Sequence, residues 1–363
     1  RPLSRGLGDV YKRQDKNMNK NYLLPGEPLR KGVDLIADKK SGGLIVIGSS
    51  NKLEKISSGG INLKNCSYTP EMLSELAKMD GAVIVDENVS TILKANVHLN
   101  PSDNLQTFET GTRHRTAERV SAETNLKVIA VSEESSAIKV FHNMKVIELE
   151  EPAMILGRVN ESLQSVDRMR RRFDEVLLQL GELEIEDTIT NQQVLTVIQR
   201  GELLIRLANQ VKDEAENLGE EAGIVMIQIE SLESGVEYTL SLVLKDHLPS
   251  KKYRNIKKAK TEISNMTYEE LNIISHLGAI LMMQPLDEIS TPRGYRVLAR
   301  LPGLPENLHD PLIMKFKTLP KLLGAPTDKL FQVDGIGRNR AQQLRDYFDT
   351  LLKNIGFSYI NGH

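Results

Sequence analysis

Short apolar runs fenced by glycine dominate the first 150 residues, and three- and four-residue periodicity takes over after them. Gly43-Leu44-Ile45-Val46-Ile47-Gly48 is continuously apolar between two glycines, which predicts a strand buried on both faces. Ala82-Val83-Ile84-Val85, directly after Asp80-Gly81, predicts a second such strand, and residues 127–131 a third. Residues 70–78 predict a helix, with Thr69 as its N-cap and Pro70 in its first turn. Residues 116–124 predict another, following an Arg-His-Arg run. Strands alternating with helices predict a mixed-sheet α/β domain over residues 15–150.

The pattern then changes. Leu156, Val159, Leu163, Val166, Met169, Phe173, Val176 and Leu180 form one apolar face of a long helix. Arg168, Arg170, Arg171 and Arg172 fall largely off that face and read as a solvated surface. Further periodic segments at 191–213 and 222–247 predict an all-α region over 151–290. Residues 291–363 read as a small helical domain punctuated by Pro and Gly. The fold class expected is therefore multidomain, α/β followed by all-α.

Composition narrows the picture. Trp is absent and aromatics are 4%, so the cores must be aliphatic. The net charge of −2 hides an asymmetry. Residues 1–250 carry 30 Lys+Arg against 38 Asp+Glu, and residues 251–363 carry 17 against 11. A basic carboxy-terminal part points to an anionic partner. Six basic residues crowd into 251–260, read as a loop or helix end. The single Cys66 excludes an intrachain disulfide and a Cys-rich metal site, and fits a reducing cytoplasm. Residues 1–14 lack apolar periodicity and read as a non-native tail outside any domain.

The densest candidate chemistry is Gly111-Thr112-Arg113-His114-Arg115-Thr116. Two guanidinium forks suited to phosphate flank an imidazole, and threonine hydroxyls bracket them. This reads as a polyphosphate grip without a Walker-type loop. Asp80-Gly81, at the start of a predicted strand, adds a hard oxygen ligand for Mg²⁺ or Mn²⁺ and a position where a ligand can approach the backbone.

A second motif lies near the end: Val333-Asp334-Gly335-Ile336-Gly337-Arg338-Asn339-Arg340, between two helical patterns. Glycines permit a tight turn, the next helix presents free N–H groups, and Arg338 and Arg340 add charge. Gripping a nucleic-acid backbone without reading bases needs these features. The run resembles the helix-hairpin-helix family of DNA-binding modules, which assigns Gly335, Ile336, Gly337, Arg338 and Arg340 to DNA. A purely structural αα-hairpin is the other reading. Leu301-Pro302-Gly303-Leu304-Pro305 resembles a degenerate sister, and Pro305 there points to a structural role.

Taken together, Asp80-Gly81-Ala82 and Arg113-His114-Arg115 match the two signature motifs of diadenylate cyclase domains. Ala95-Asn96-Val97-His98-Leu99, Gly111-Thr112 and Glu118-Arg119 are similar to the same family. With a helical middle and a helix-hairpin-helix end, residues 20–360 resemble the family of DNA integrity scanning proteins. The resemblance implies condensation of two ATP into cyclic di-AMP and two pyrophosphates by cyclase domains meeting face to face. It further implies a helical spine, an octamer, a cytoplasmic, nucleoid-associated setting, and control by branched or recombination-intermediate DNA. It assigns Asp80 to the metal and the ribose 3′-hydroxyl, Gly81 to the ribose, and Leu99 to the adenine. Thr112, Arg113, His114, Thr116 and Ser132 go to the phosphates, Gly111 goes to the ATP site, and Asp80, Arg113 and His114 are the catalytic set. One departure stands out. Where the family carries basic residues after Ser132, this chain has Glu133-Glu134-Ser135-Ser136. That feature favours the alternative, a DNA-binding scaffold with an inactive nucleotide-sensing domain.

Overall fold

The computed structural model describes residues 21–250 and 255–360; the tail at 1–14 and residues 251–254 of the basic run lie outside the described residues. The chain divides into two compact units, residues 1–160 with 213–226 and residues 161–212 with 227–363.

The first unit is built on α1 (Pro28–Asp38), β1 (Gly43–Ile47), α2 (Asn51–Ile56), β2 (Ser57–Ser58), β3 (Ile61–Ser67) and α3 (Pro70–Leu76). It continues through β4 (Ala82–Val85), β5 (Thr91–Leu99), α4 (Thr112–Thr124), β6 (Lys127–Val131), β7 (Ile138–His142) and β8 (Lys145–Leu149). The strands form one mixed sheet in the order β2-β5-β4-β1-β6-β7-β8, with β3 also paired to β5. β1 and β4 are parallel, and the remaining pairs are antiparallel.

Alternation along the strands sorts the core into two layers. Ile45, Ile47, Val83, Val85, Ile129 and Val131 face α1 and α3. Leu44, Val46, Ala82, Ile84, Val128 and Ala130 face α2 and α4. Covering on both sides explains why β1, β4 and β6 read as unbroken apolar runs. The caps follow the sequence: Thr69 Oγ1 accepts from the Met72 amide and Ser50 Oγ from Leu53, each at 3.1 Å.

Helix α4 starts four residues earlier than the periodicity predicts. Gly111 is extended (φ −75°, ψ 141°), so Arg113-His114-Arg115 forms the helix's first turn and does not precede it.

The helices that follow are α5 (Pro152–Glu186), α6 (Asn191–Ala215), α7 (Ala222–Glu233), α8 (Val236–His247), α9 (Ile256–Ser264), α10 (Tyr268–Asn272) and α11 (Ile274–Leu281). On α5, Val159, Val166, Phe173 and Leu180 recur every seven residues and are almost fully buried. The segment at 222–247 is two helices, because Gly235 takes a left-handed conformation (φ 73°) between them. Arg170, from the arginine cluster, donates to the carbonyls of Leu232 and Ser234 at this break, at 2.7 and 2.9 Å.

The chain ends in α12 (Tyr295–Ala299), α13 (His309–Phe316), α14 (Leu319–Leu323), α15 (Thr327–Phe331) and α16 (Arg338–Ile360), packed on Leu298, Leu312, Leu319, Leu330, Leu344 and Phe348. Beneath them lies a buried polar network. Glu184 binds Arg296 at 2.7 Å and His247 at 2.8 Å, and His247 reaches Ser290 at 2.9 Å. Asp246 accepts from the Gly294, Tyr295 and Arg296 amides at 2.6–2.9 Å, tying α8 to the start of α12.

Candidate active site

Strand pairing gathers Asp80-Gly81, Leu99 and Ser132. Val131 pairs with Gly43, so the chain leaving β6 at Ser132 and Glu133 lies beside the start of β1. β4 is parallel to β1, which puts Asp80-Gly81 at that same end. Ala82 pairs with Val97, bringing the last residues of β5, up to Leu99, to it as well. Residues between 42 and 133 in sequence thus meet at one end of one sheet. The first turn of α4 reaches this end too, because Arg113 Nη1 binds Glu133 Oε2 at 2.9 Å.

Each predicted residue has a definite place. Asp80 is solvent-exposed at the entry to β4. Gly81 has a structural reason to be glycine: a Cβ there would lie 2.6–2.8 Å from backbone atoms of Asn96 and Val97. Asn96 has a positive φ of 55°, and the β4–β5 register shifts around it, so the close approach is to a bulge in β5. Leu99 is half-buried against the α2/α4 layer. Thr112 is exposed, and Thr116 donates its hydroxyl to the Thr112 carbonyl at 3.0 Å. Ser132 Oγ accepts from the Ser135 amide at 3.1 Å, which leaves its own proton to donate outward. No side chain caps α4 at Gly111, so its first-turn amides face the site and add the field of a 13-residue helix.

His114 is half-buried, edge-on to Phe141 at 6.3 Å. Burial pushes its pKa below the ordinary histidine value; Glu109 opposes this, while Lys139 and Arg113 add to it. At neutral pH it is therefore an uncharged hydrogen-bonding group.

Sequence reasoning missed the residues that hold the segment before α4. Glu118 accepts from the Thr107 hydroxyl and from the Phe108 amide at 3.2 Å. Arg119 binds the Leu105 carbonyl at 3.0 Å and Asp103 at 2.9 Å. Lys139 holds both oxygens of Glu109 at 3.0 Å. Glu118 and Arg119 stand in the run already noted, but only the fold shows that they face backwards onto residues 103–108.

At the other end of the chain, Gly335 is left-handed (φ 82°), and an added Cβ would meet Leu308 at 2.7 Å. Gly337 faces open space. Ile336 turns its side chain into the core and donates its amide to the Val333 carbonyl at 3.0 Å, while Asp334, Gly335, Gly337, Arg338 and Asn339 are exposed and Arg340 is half-buried. Arg338 lies over the Phe331 ring at 5.6 Å, and Arg340 donates to the Gly335 carbonyl at 3.0 Å. Gly303 repeats the turn (φ 80°), with Leu304 buried in place of Ile336 and Pro305 in place of Gly337.

The first unit is thus a mixed-sheet α/β domain with its candidate residues gathered at one end of the sheet. Residues 30–146 match the family described as DisA bacterial checkpoint controller nucleotide-binding, and residues 149–286 match the DisA bacterial checkpoint controller linker region. The chain is 36% identical to the DNA integrity scanning protein DisA of Acidothermus cellulolyticus, over 92% of each chain. It is equally identical to that of Kineococcus radiotolerans, over 92% of this chain and 94% of the other. DacA from Staphylococcus aureus, solved as a double mutant, aligns with 36% of this chain and 89% of its own at 26% identity and a TM-score of 0.30. The chain belongs to the DisA family, and its first unit is a diadenylate cyclase domain.

Proposed function

We propose that the sheet end bearing Asp80, Leu99 and the first turn of α4 binds one ATP, and that two such ends from two copies condense their nucleotides into cyclic di-AMP. Each ribose 3′-oxygen attacks the α-phosphorus of the facing ATP. The bond from that phosphorus to the α,β-bridging oxygen breaks, pyrophosphate leaves with the electron pair, and the 3′-hydroxyl proton passes to solvent. The observation that carries this reading is the convergence of Asp80-Gly81, Leu99, Ser132 and Arg113 at one end of one sheet.

The roles follow from placement. Leu99 offers an apolar surface to the adenine and Gly81 lies by the ribose. The α4 amides with Gly111, Thr112, Arg113, His114, Thr116 and Ser132 hold the phosphates. Arg113 neutralises charge as pyrophosphate departs. Asp80 suits a divalent cation: it is exposed, and carboxylates bind Mg²⁺ singly when phosphate oxygens complete the shell. Among the described residues no three His, Cys, Asp or Glu side chains form a self-sufficient metal site. Bound there, Mg²⁺ or Mn²⁺ would withdraw charge from the phosphates and acidify the attacking hydroxyl.

The carboxy-terminal helices, on this reading, are a helix-hairpin-helix module that grips DNA phosphates through Gly337, Arg338, Arg340 and the amino end of α16. Branched DNA bound there modulates the cyclase within an octamer. No described helix is long and apolar enough to cross a membrane. Incubating the purified protein with ATP and Mg²⁺ or Mn²⁺ tests the enzymatic half, and cyclic di-AMP is the expected product. Binding to branched DNA that weakens steeply with salt tests the other half; salt-insensitive binding would count against phosphate contacts.

A further inference from the structure

The second unit contains a cleft of ≈ 270 Å³ that the cyclase chemistry does not use. Leu242, Tyr295 and His309 are its buried lining residues, and Tyr238, Asn307 and Asp310 are exposed ones. His309 is only 5% exposed, and its Nε2 has no hydrogen-bond partner. An unpartnered buried nitrogen is destabilising unless something in the cleft binds it.

The remaining chemistry narrows the occupant. Two carboxylates, Glu306 and Asp310, stand against one ammonium, Lys245, which sits 5.2 Å from the Tyr295 ring centroid. Burial lowers the His309 pKa, so the imidazole adds no charge at neutral pH. A polyanion such as a free nucleotide is disfavoured by that balance. A flat, neutral group with both donors and acceptors suits it. Asn307 offers one donor and one acceptor face, and His309 Nε2 offers another polar atom. Asp310 already accepts from the Tyr295 hydroxyl at 2.7 Å and keeps further lone pairs. Tyr238, held by Glu306 at 2.8 Å, supplies an aromatic side chain at the rim.

Position supplies the source of such a group. Leu308, between Asn307 and His309, is the side chain against which Gly335 of the hairpin packs. The cleft therefore abuts the turn proposed to hold DNA phosphates. We infer that the cleft receives one unpaired nucleobase of the DNA held by the hairpin, stacking it on tyrosine and hydrogen-bonding its edge to Asn307, His309 and Asp310. This rests on the hairpin reading above. Enzymes that take bases out of the stack bind them in the same way.

The test uses the full chain and three duplexes of one sequence. One is fully paired, one carries a single extra 2-aminopurine nucleotide, and one carries an abasic residue in its place. The bulged-base duplex is expected to bind about five-fold or more tightly than the other two, within the range of base–aromatic stacking, with 2-aminopurine emission quenched. Asn307→Ala, on the exposed rim, and His309→Leu should each remove that preference and leave paired-duplex affinity unchanged. Gly337→Glu should weaken all three duplexes alike and preserve their ratio. Equal affinity for the three duplexes, or a preference that survives both cleft variants, would mark the cleft as solvent-filled only and overturn the inference. Failure of every duplex to bind would instead remove the hairpin reading, and this inference with it.

Discussion

In the proposed site Arg113 serves the phosphates, and Glu133 already occupies it. Replacing Glu133 with glutamine removes one negative charge while nearly preserving shape. The carboxylate and guanidinium meet at 2.9 Å, with side chains 62% and 37% exposed. At a charge separation of about 4 Å, Coulomb attraction would be roughly 1–4 kcal/mol for effective dielectrics between water and a protein surface. Solvent exposure and side-chain entropy reduce the net value of such pairs to about 0–1 kcal/mol. An incoming phosphate must displace this pair and also approach a carboxylate of like charge. With 1.4 kcal/mol per tenfold, Glu133→Gln should lower the KM for ATP by about two- to five-fold. The gain should shrink in high salt, because exposed charges are screened. Folding stability should move by no more than about 0.5 kcal/mol. The assay is initial-rate cyclic di-AMP synthesis across ATP concentrations at fixed free metal and two ionic strengths. An unchanged or raised KM would refute the reasoning. A fall in kcat alone would show that Glu133 positions Arg113 for the reaction and does not compete for it.

Four further substitutions have outcomes set by the geometry. Gly81→Ala drives a Cβ to within 2.8 Å of β5 backbone atoms and should cost about 1–3 kcal/mol, read as a lower melting temperature even without nucleotide. Gly337→Glu has open space and should weaken DNA binding while sparing the fold and basal synthesis, whereas Gly335→Ala is strained at φ 82° and should lower the melting temperature of the second unit. Glu184→Gln leaves Arg296 buried without its carboxylate and should cost about 3–5 kcal/mol. Burial raises the Glu184 pKa, but the His247 hydrogen bond and the Arg296 charge outweigh it and hold it below the ordinary value. Its contribution is therefore present above the unfolded carboxylate pKa and lost as pH falls through the folded one. Melts across pH should show the wild-type advantage closing on acidification; a gap that widens in acid would contradict the assignment.

The sequence made the interior strands legible for a physical reason. β1, β4 and β6 are covered by helices on both faces, so their residues are apolar without interruption. β7 and β8 lie toward one edge, where Lys139, Lys145 and Glu148 interrupt the pattern, and β3 and β5 are broken by irregular register. The Arg-His-Arg run was readable as chemistry but misplaced by a turn, because Gly111 starts the helix with no polar cap to announce it. Twenty residues separate Arg113 from Glu133, and they meet because α4 packs back along β6, the strand that follows it. Leu308 and Gly335 are joined in the same way, by packing that no local pattern encodes. Family resemblance identified Glu133 as a departure, and the fold shows which residue it engages.

The central claim is that one end of the first unit's sheet, completed by a second copy, makes cyclic di-AMP with Asp80 holding the metal. Its most direct measurement compares wild type and Asp80→Asn, matched for oligomeric mass in solution, in ATP with Mg²⁺ or Mn²⁺. Product from the wild type and none from an equally assembled Asp80→Asn is the predicted result. A well-folded wild-type assembly that binds ATP without product, or a variant that synthesises at the wild-type rate, would contradict it.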